Sequence, residues 1–205
     1  MILFLLYNSF LVFGLNTIFN YDYEFTSRIS SISHAIVSLL GSILFITNFI
    51  HYSIFQHIIN YNIVYISTDI YLYITNKISN KDIKEMMVHH ICFLIGSYVS
   101  YLDPYCYALG IMSEGSTIFL NTRWFAINNY YFKNIDLHTK LFWVCFFIFR
   151  ILNITYLTYI LYHHTYYYYT LLVLPFLGLN YTWFYYLTMK VLNIKKKFKI
   201  LLNDK

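Results

Sequence analysis

The sequence predicts an all-α fold, a polytopic bundle of membrane-spanning helices. Hydrophobic residues make up 59% of the 205 residues and charged residues only 11%, and the mean hydropathy is +0.53. Soluble domains carry roughly 25% charged residues. A chain of this size also has too large a surface for its volume to bury so many apolar side chains in water. Composition and size together therefore favour a bundle that is solvated by lipid.

Seven apolar runs are long enough to cross a bilayer, which takes about 17–25 residues per helix. They cover residues 1–19, 30–50, 58–76, 87–103, 105–127, 139–162 and 167–191. The six runs from residue 30 onward are predicted to form the core of the bundle. Residues 1–19 lack the positively charged start and the cleavage site of a signal peptide. They are a candidate seventh span, or a helix that lies in the membrane interface.

Lysine and arginine are confined to alternate connections between these runs. The connections near 77–86 and 128–138 and the segment after the last run are basic, whereas the three intervening connections contain no lysine or arginine. By the positive-inside rule the basic connections lie in the cytosol. The sequence therefore predicts a multi-pass protein with a cytosolic C terminus. Its lysine-rich tail, from Lys195, is expected to contact the anionic cytoplasmic leaflet.

Several function classes are excluded by what the sequence lacks. The net charge of +5 forms no basic stripe across a folded face, so nucleic acid is not a predicted partner. Three cysteines without paired spacing give no disulfide framework and no zinc motif, and no nucleotide-binding glycine motif is present. The His-x-x-His-His boxes of membrane di-iron enzymes are also absent. We predict no metal and no cofactor.

Ionisable side chains inside the predicted spans are the candidates for function, because charge in a bilayer is costly and usually faces a cavity or a partner. They are His34, Asp69, His89, His90, Glu114 and Arg150. With a rise of about 1.5 Å per residue, all six fall in the cytosolic half of the bilayer. They predict a polar cavity open to the cytosol, in which Glu114 pairs with Arg150 or with a histidine.

The order of these residues along the chain forms a recognisable set of motifs. It runs Ser31-x-x-His34-Ala35, Asp69, His89-His90 at the start of a span, Glu114-x-Ser116-x-x-x-x-Asn121-x-Arg123-Trp124-Phe125, Arg150 and Asn180-x-x-Trp183. Over residues 28–190 this set resembles the TLC-domain family, which includes the ceramide synthases and the translocating-chain-associated membrane proteins. The resemblance implies an endoplasmic-reticulum or related membrane and a role in lipid synthesis, sensing or transport.

On this resemblance the chain divides into three parts. Residues 1–27 are the N-terminal apolar span or interfacial helix, 28–192 a TLC-like transmembrane domain, and 193–205 the basic cytosolic tail. Ceramide synthases place a His-Asp and a further Asp on the helix after the paired histidines, but this chain reads Met-Ser-Glu-Gly-Ser at 112–116. The chain is therefore more similar to the family's short branch, for which lipid homeostasis is inferred.

The residues leave two main interpretations of the paired histidines open. In the first, the protein binds, senses or adjusts membrane lipid, or its polar residues simply tie the helices together. The cavity would be lined by His34, Glu114, Asn121, Arg123, Arg150 and Trp183. In the second, His89 or His90 is the base or nucleophile of an acyltransferase that uses acyl-CoA, and Asp69 or Glu114 orients the imidazole. Adjacent residues on a helix point about 100° apart, so we expect only one histidine of the pair to meet a substrate.

Overall fold

The structure is a computed structural model that describes residues 6–7, 9–19, 22–75, 83–99, 103–130, 134–163 and 167–203. Every regular element in these ranges is a helix. The predicted all-α bundle is thereby confirmed. The side chains of the basic tail, and most of the loop at 77–86, lie outside the described residues.

Nine α-helices and two π-helical stretches make up the described part of the chain. A π-helical stretch, Phe10–Gly14, precedes α1, Leu15–Phe19; α2 spans Tyr23–Ile46, α3 Tyr52–Ile74, α4 Ile83–Val99, α5 Pro104–Met112 and α6 Gly115–Ile127. Next, α7, Ile135–Phe146, continues through a second π-helical stretch, Phe147–Leu152, into α8, Asn153–His163. The last helix, α9, covers Tyr167–Asn203.

Side chains at the helix starts explain several of these boundaries. Asp22 accepts a hydrogen bond from the backbone amide of Phe25 at 2.6 Å, which caps α2. Asp103 caps α5 by accepting from the Cys106 amide at 3.0 Å, and Pro104 follows as the first helical residue. Such caps satisfy amide groups that have no partner within the helix. The loop predicted at 103–105 is therefore the start of α5.

Helix α2 has its apolar side chains outside and its polar side chains inside, the reverse of a helix in a water-soluble protein. Its outward side chains are large and apolar, and Leu40 is 55% exposed. Its buried positions recur every three or four residues and are small or polar: Ser27, Ser31, Ala35, Ser38 and Ser42. Small residues allow close helix packing in lipid, and α2 packs against α3, α5 and α6.

Two helices in the described residues are long and apolar enough to cross a membrane. They are α2, with a mean hydropathy of 2.0, and the continuous helix Ile135–His163, with 1.8. The second includes α7, the second π-helical stretch and α8.

The run at 105–127 contains two helices where the sequence suggested one. At the junction, the amides of Ser113, Glu114, Ser116 and Thr117 bond to carbonyls three residues earlier. This tighter winding replaces the α-helical pattern, so α5 ends at Met112 and α6 begins at Gly115. Glu114 sits at the junction as the N-cap residue of α6.

Gly115 lies at a close contact between three elements. A Cβ atom on it would stand 3.1 Å from Phe149 and 3.2 Å from Leu39. We expect Gly115→Val to lower the free energy of unfolding by about 1–3 kcal/mol through overpacking. Thermal unfolding in detergent measures this effect. Gly178→Val is the matched control, because no atom lies within 4 Å of a Cβ at that position. Equal melting temperatures for the two variants would contradict the packing role.

A polar cavity as the candidate functional site

A cavity of about 650 Å³ lies among the helices. Its wall combines residues of α2, α3, α4, α6, α7, α9 and the second π-helical stretch. The volume falls within the range of ~300–1,000 Å³ that is usual for small-molecule sites. All nine residues proposed from the sequence line it: His34, Asp69, His89, His90, Glu114, Asn121, Arg123, Arg150 and Trp183. The fold thus brings the predicted set together, while the function of each member stays a prediction.

His90 and Asp69 form a close pair on one side of the cavity. The His90 Nε2 atom lies 2.7 Å from Asp69 Oδ2, and the Ser27 hydroxyl donates to Asp69 Oδ1 at 3.3 Å. Both the imidazole and the carboxylate are buried. Because the carboxylate accepts from two elements, it fixes the orientation of the His90 ring.

Glu114 is the centre of a second charged cluster. Its Oε1 atom lies 3.3 Å from both Arg150 Nη2 and His89 Nε2, and Thr117 donates to Oε2 at 2.9 Å. The predicted pairing of Glu114 is therefore confirmed, with arginine and histidine as simultaneous partners. One carboxylate joins α4, α6 and the second π-helical stretch.

Arg150 donates four hydrogen bonds although it is buried. Its Nε atom donates to Ser116 at 2.8 Å, and its terminal nitrogens donate to Thr117 at 3.0 Å and to Asn180 at 3.4 Å, as well as to Glu114. A buried guanidinium without such partners would be strongly destabilising. The π-helical winding around Arg150 was not predicted, since the segment Phe-Ile-Phe-Arg-Ile-Leu carries no local signal for it.

Both histidines of the pair line the cavity, with ring centroids 5.4 Å apart. The sequence suggested that only one would meet a substrate. The two side chains leave α4 in different directions, as expected, but the cavity is wide enough for both to line it. His90 lies beside Asp69 of α3, and His89 lies beside Glu114.

His34 and Asn121 extend the polar wall toward α2 and α6. The His34 ring stacks on Tyr65 with centroids 3.9 Å apart, and its Nε2 atom lies 3.3 Å from the Ser38 hydroxyl. Asn121 donates to Ser31 at 2.9 Å and accepts from Arg28 at 3.2 Å. Ser31, Tyr65 and Arg28 were not among the predicted site residues, because only their placement in the fold connects them to the cavity.

Arg123 and Trp183 lie at other parts of the same wall. Arg123 donates through Nε to the Thr139 hydroxyl at 2.9 Å. The Trp183 indole N–H donates to Glu85, and the Arg150 guanidinium lies 5.8 Å from the centre of the Trp183 ring. Sequence reasoning missed Glu85, since it was assigned to the lysine-containing loop.

Two ring nitrogens on the wall have no hydrogen-bond partner among the described residues. They are Nδ1 of His34 and Nδ1 of His89, both on buried side chains. A buried polar group usually has a partner, so each of these nitrogens is an unsatisfied polar atom within the bundle. Within the described ranges, no three His, Cys, Asp or Glu side chains are grouped so that they could hold a metal ion.

Comparison with known proteins identifies the family. The TLC-domain family model matches residues 1–195, nearly the whole chain. No curated protein and no solved structure matches the chain significantly. The family consists of membrane proteins with lipid-related functions. The match covers nearly the full length, the described residues form a helical bundle, and α2 has an apolar outer face. The chain is therefore a membrane protein of the TLC-domain family.

Proposed function

We propose that the protein binds a membrane lipid in the polar cavity and serves lipid homeostasis or sensing. The observation that carries the proposal is the cavity itself, about 650 Å³ lined by buried charged side chains from several helices. Keeping charge inside a membrane bundle is costly, and such groups commonly mark a ligand path. We infer a membrane lipid as the ligand because the family has lipid-related functions.

The composition of the wall supports a lipid head group as the ligand. Arg123 and Arg150 supply cationic groups, and the imidazoles of His89 and His90 supply further polar groups. A polar head group entering a bilayer-embedded protein must exchange its water for such groups. The outward faces of the helices are apolar, as Leu40 and Ile43 on α2 illustrate.

The orientation of the cavity is part of the proposal. Arg28, Arg123 and Lys190 belong to its wall, and by the positive-inside rule they mark the cytosolic side. We therefore infer a cavity open to the cytosol, residues 193–205 as a cytosolic tail, and an endoplasmic-reticulum or related membrane. A C-terminal epitope tag should be accessible to antibody in cells whose plasma membrane alone is permeabilised. Labelling only after internal membranes are dissolved would refute this orientation.

Bound lipid is the direct test of the function. Native mass spectrometry of the detergent-purified protein should detect retained lipid. We expect Leu120→Trp, which adds bulk to the cavity wall, to lower retention severalfold, because Leu120 lines the cavity. Leu171→Trp is the matched control, since Leu171 is 62% exposed on the outside of α9. Wild-type protein without bound lipid, or equal retention by both variants, would refute the proposal.

One observation favours acyl transfer as a second function. The short His90–Asp69 contact resembles the orientation of a general base by a carboxylate. With the proton held on Nε2 by Asp69, Nδ1 of His90 would accept a proton from a lipid hydroxyl or amine. The freed oxygen or nitrogen would attack the thioester carbonyl of acyl-CoA, and the thiolate would leave and take up that proton.

Lipid analysis separates the two functions. Under acyl transfer, a product lipid should appear only in cells that express the wild type, and the purified protein should consume acyl-CoA. His89→Ala/His90→Ala should abolish both signals, whereas His57→Ala/His163→Ala should not, because those histidines lie on exposed positions outside the cavity. Bound lipid without acyl-CoA consumption leaves binding as the function.

A further inference from the structure

Charged groups are unevenly distributed along the polar cavity. In its interior each carboxylate contacts a basic group, as Asp69 contacts His90 and Glu114 contacts Arg150. The end of the cavity that lies where α2 begins and α6 ends, which we call the mouth, instead carries three cations and one carboxylate. The four are Arg28, Arg123, Lys190 and Glu85. The described wall of the mouth therefore has an excess of positive charge.

Arg123 is held in the mouth with donors that remain unused. Its Nε atom donates to the Thr139 hydroxyl at 2.9 Å, and that hydroxyl donates to the Ile135 carbonyl of α7 at 2.8 Å. The terminal nitrogens of Arg123 have no acceptor among the described residues. A guanidinium presents planar pairs of donors that match two oxygens of an anion. Arg123 is thus fixed at one nitrogen and can bind an anion with the other two.

Lys190 supplies a second cation at the same end of the bundle. The Trp143 indole donates to Thr188 at 2.9 Å, so α7 and α9 are adjacent at that level. On α7, Thr139 comes one turn before Trp143. On α9, Lys190 comes two residues after Thr188, and because the two helices run in opposite directions, both steps lead to the mouth. Lys190 is exposed and is paired with no carboxylate of the described residues.

Arg28, the third cation, is already occupied by neighbours. It donates to Asn121 at 3.2 Å and to Glu24 at 3.4 Å, and its guanidinium carbon lies 5.4 Å from the centre of the Trp124 ring. Its charge adds to the positive potential of the mouth. We therefore assign the direct contacts with an anion to Arg123 and Lys190.

We propose that the mouth of the polar cavity binds the phosphate group of a membrane lipid, with Arg123 and Lys190 as its direct contacts. This inference rests on the proposed lipid binding and names the class of head group. A phosphate supplies negative charge and several acceptor oxygens, which two cations from different helices can share. A head group without net negative charge would leave both cations unpaired.

Cations near helix ends also have a simpler role, which is to contact the anionic leaflet from outside the bundle. Lys140 has the features of that role. It follows Thr139 directly in α7, is exposed, forms a pair with Asp136 and is absent from the described wall of the cavity. Arg123, at the same level, is half-buried and lines the cavity. Lys140 is therefore the matched control for a phosphate site at Arg123.

Two lipids with identical tails test the site. The purified protein in detergent is mixed with equal amounts of dioleoyl phosphatidic acid and dioleoylglycerol, which differ only in the phosphate, and native mass spectrometry measures the ratio of the two bound lipids. Wild type should favour phosphatidic acid by about tenfold or more. Arg123→Gln should lower this ratio by about fivefold or more, whereas Lys140→Gln should match the wild type.

Two further variants keep the test independent of folding and separate charge from geometry. Lys190→Gln changes an exposed side chain and should lower the ratio by about threefold even if Arg123→Gln does not fold. Arg123→Lys keeps the charge but loses the planar pair of donors. Its ratio should lie between those of wild type and Arg123→Gln.

Coenzyme A distinguishes the two sources of a phosphate group. It carries phosphates without a hydrocarbon tail, so an equal amount of it should leave the bound phosphatidic acid unchanged. Displacement of the lipid would assign the site to a soluble phosphate ligand and overturn the lipid assignment.

The remaining outcomes separate this inference from the proposed function. Equal binding of the two lipids by wild type, or equal losses in Arg123→Gln and Lys140→Gln, would overturn the phosphate site and leave lipid binding intact. Absence of both lipids from wild type would overturn lipid binding as well.

Discussion

Replacing Arg150 with leucine should lower the free energy of unfolding by about 3–5 kcal/mol, the cost of breaking a buried ion pair from one side. The change leaves Glu114 buried without its arginine and removes donors to Ser116 and Asn180. Because these contacts join α6, the second π-helical stretch and α9, we expect a lower melting temperature in detergent.

A double variant separates lost charge pairing from lost packing. Arg150→Leu/Glu114→Leu removes both charges, and replacement of a whole buried pair by apolar residues is often close to neutral. It should therefore be more stable than Arg150→Leu alone. Lys140→Leu is the control, because the Lys140–Asp136 pair is exposed and such pairs contribute about 0–1 kcal/mol. Equal melting of Arg150→Leu and Lys140→Leu would contradict the central role of Arg150.

Asp69→Asn should have the second large effect, which is a loss of acyl-transfer turnover. Under the acyl-transfer proposal, we expect a loss of about 10²–10⁴-fold in acyl transfer, the usual range for a general base. An amide can donate to the His90 ring where the carboxylate only accepts, which favours the tautomer with its proton on the wrong nitrogen. Retained lipid should change little, because Asn preserves the size of the side chain.

Asp136, an exposed aspartate, provides the matched control for this experiment. Asp136→Asn breaks the pair with Lys140 on the surface of α7 and should leave both turnover and bound lipid unchanged. Purified protein assayed with labelled acyl-CoA gives turnover, and native mass spectrometry gives binding. If Asp69→Asn turns over as fast as Asp136→Asn, His90 is not a base oriented by Asp69, and lipid binding alone remains.

The charged residues of the site could be predicted because their cost in lipid does not depend on their neighbours. His34, Asp69 and Glu114 stood out for this reason before any contact was known. Uncharged members of the same wall, such as Ser27 and Tyr65, gave no such signal. A hydroxyl group in a span bonds readily to its own helix backbone, as those of Ser67 and Thr68 do, so its presence does not reveal a cavity.

By itself, the sequence determined that the chain lies in lipid and that it is helical. Its apolar composition requires lipid around the chain, and a chain in lipid forms helices because their backbone groups are paired internally. The tertiary structure decided the break before Gly115, the π-helical winding at Arg150 and the shared partners of Glu114. These features depend on side chains that are distant in sequence, such as Leu39 and Phe149 against Gly115. Local periodicity does not encode such contacts, because they arise only when the helices pack.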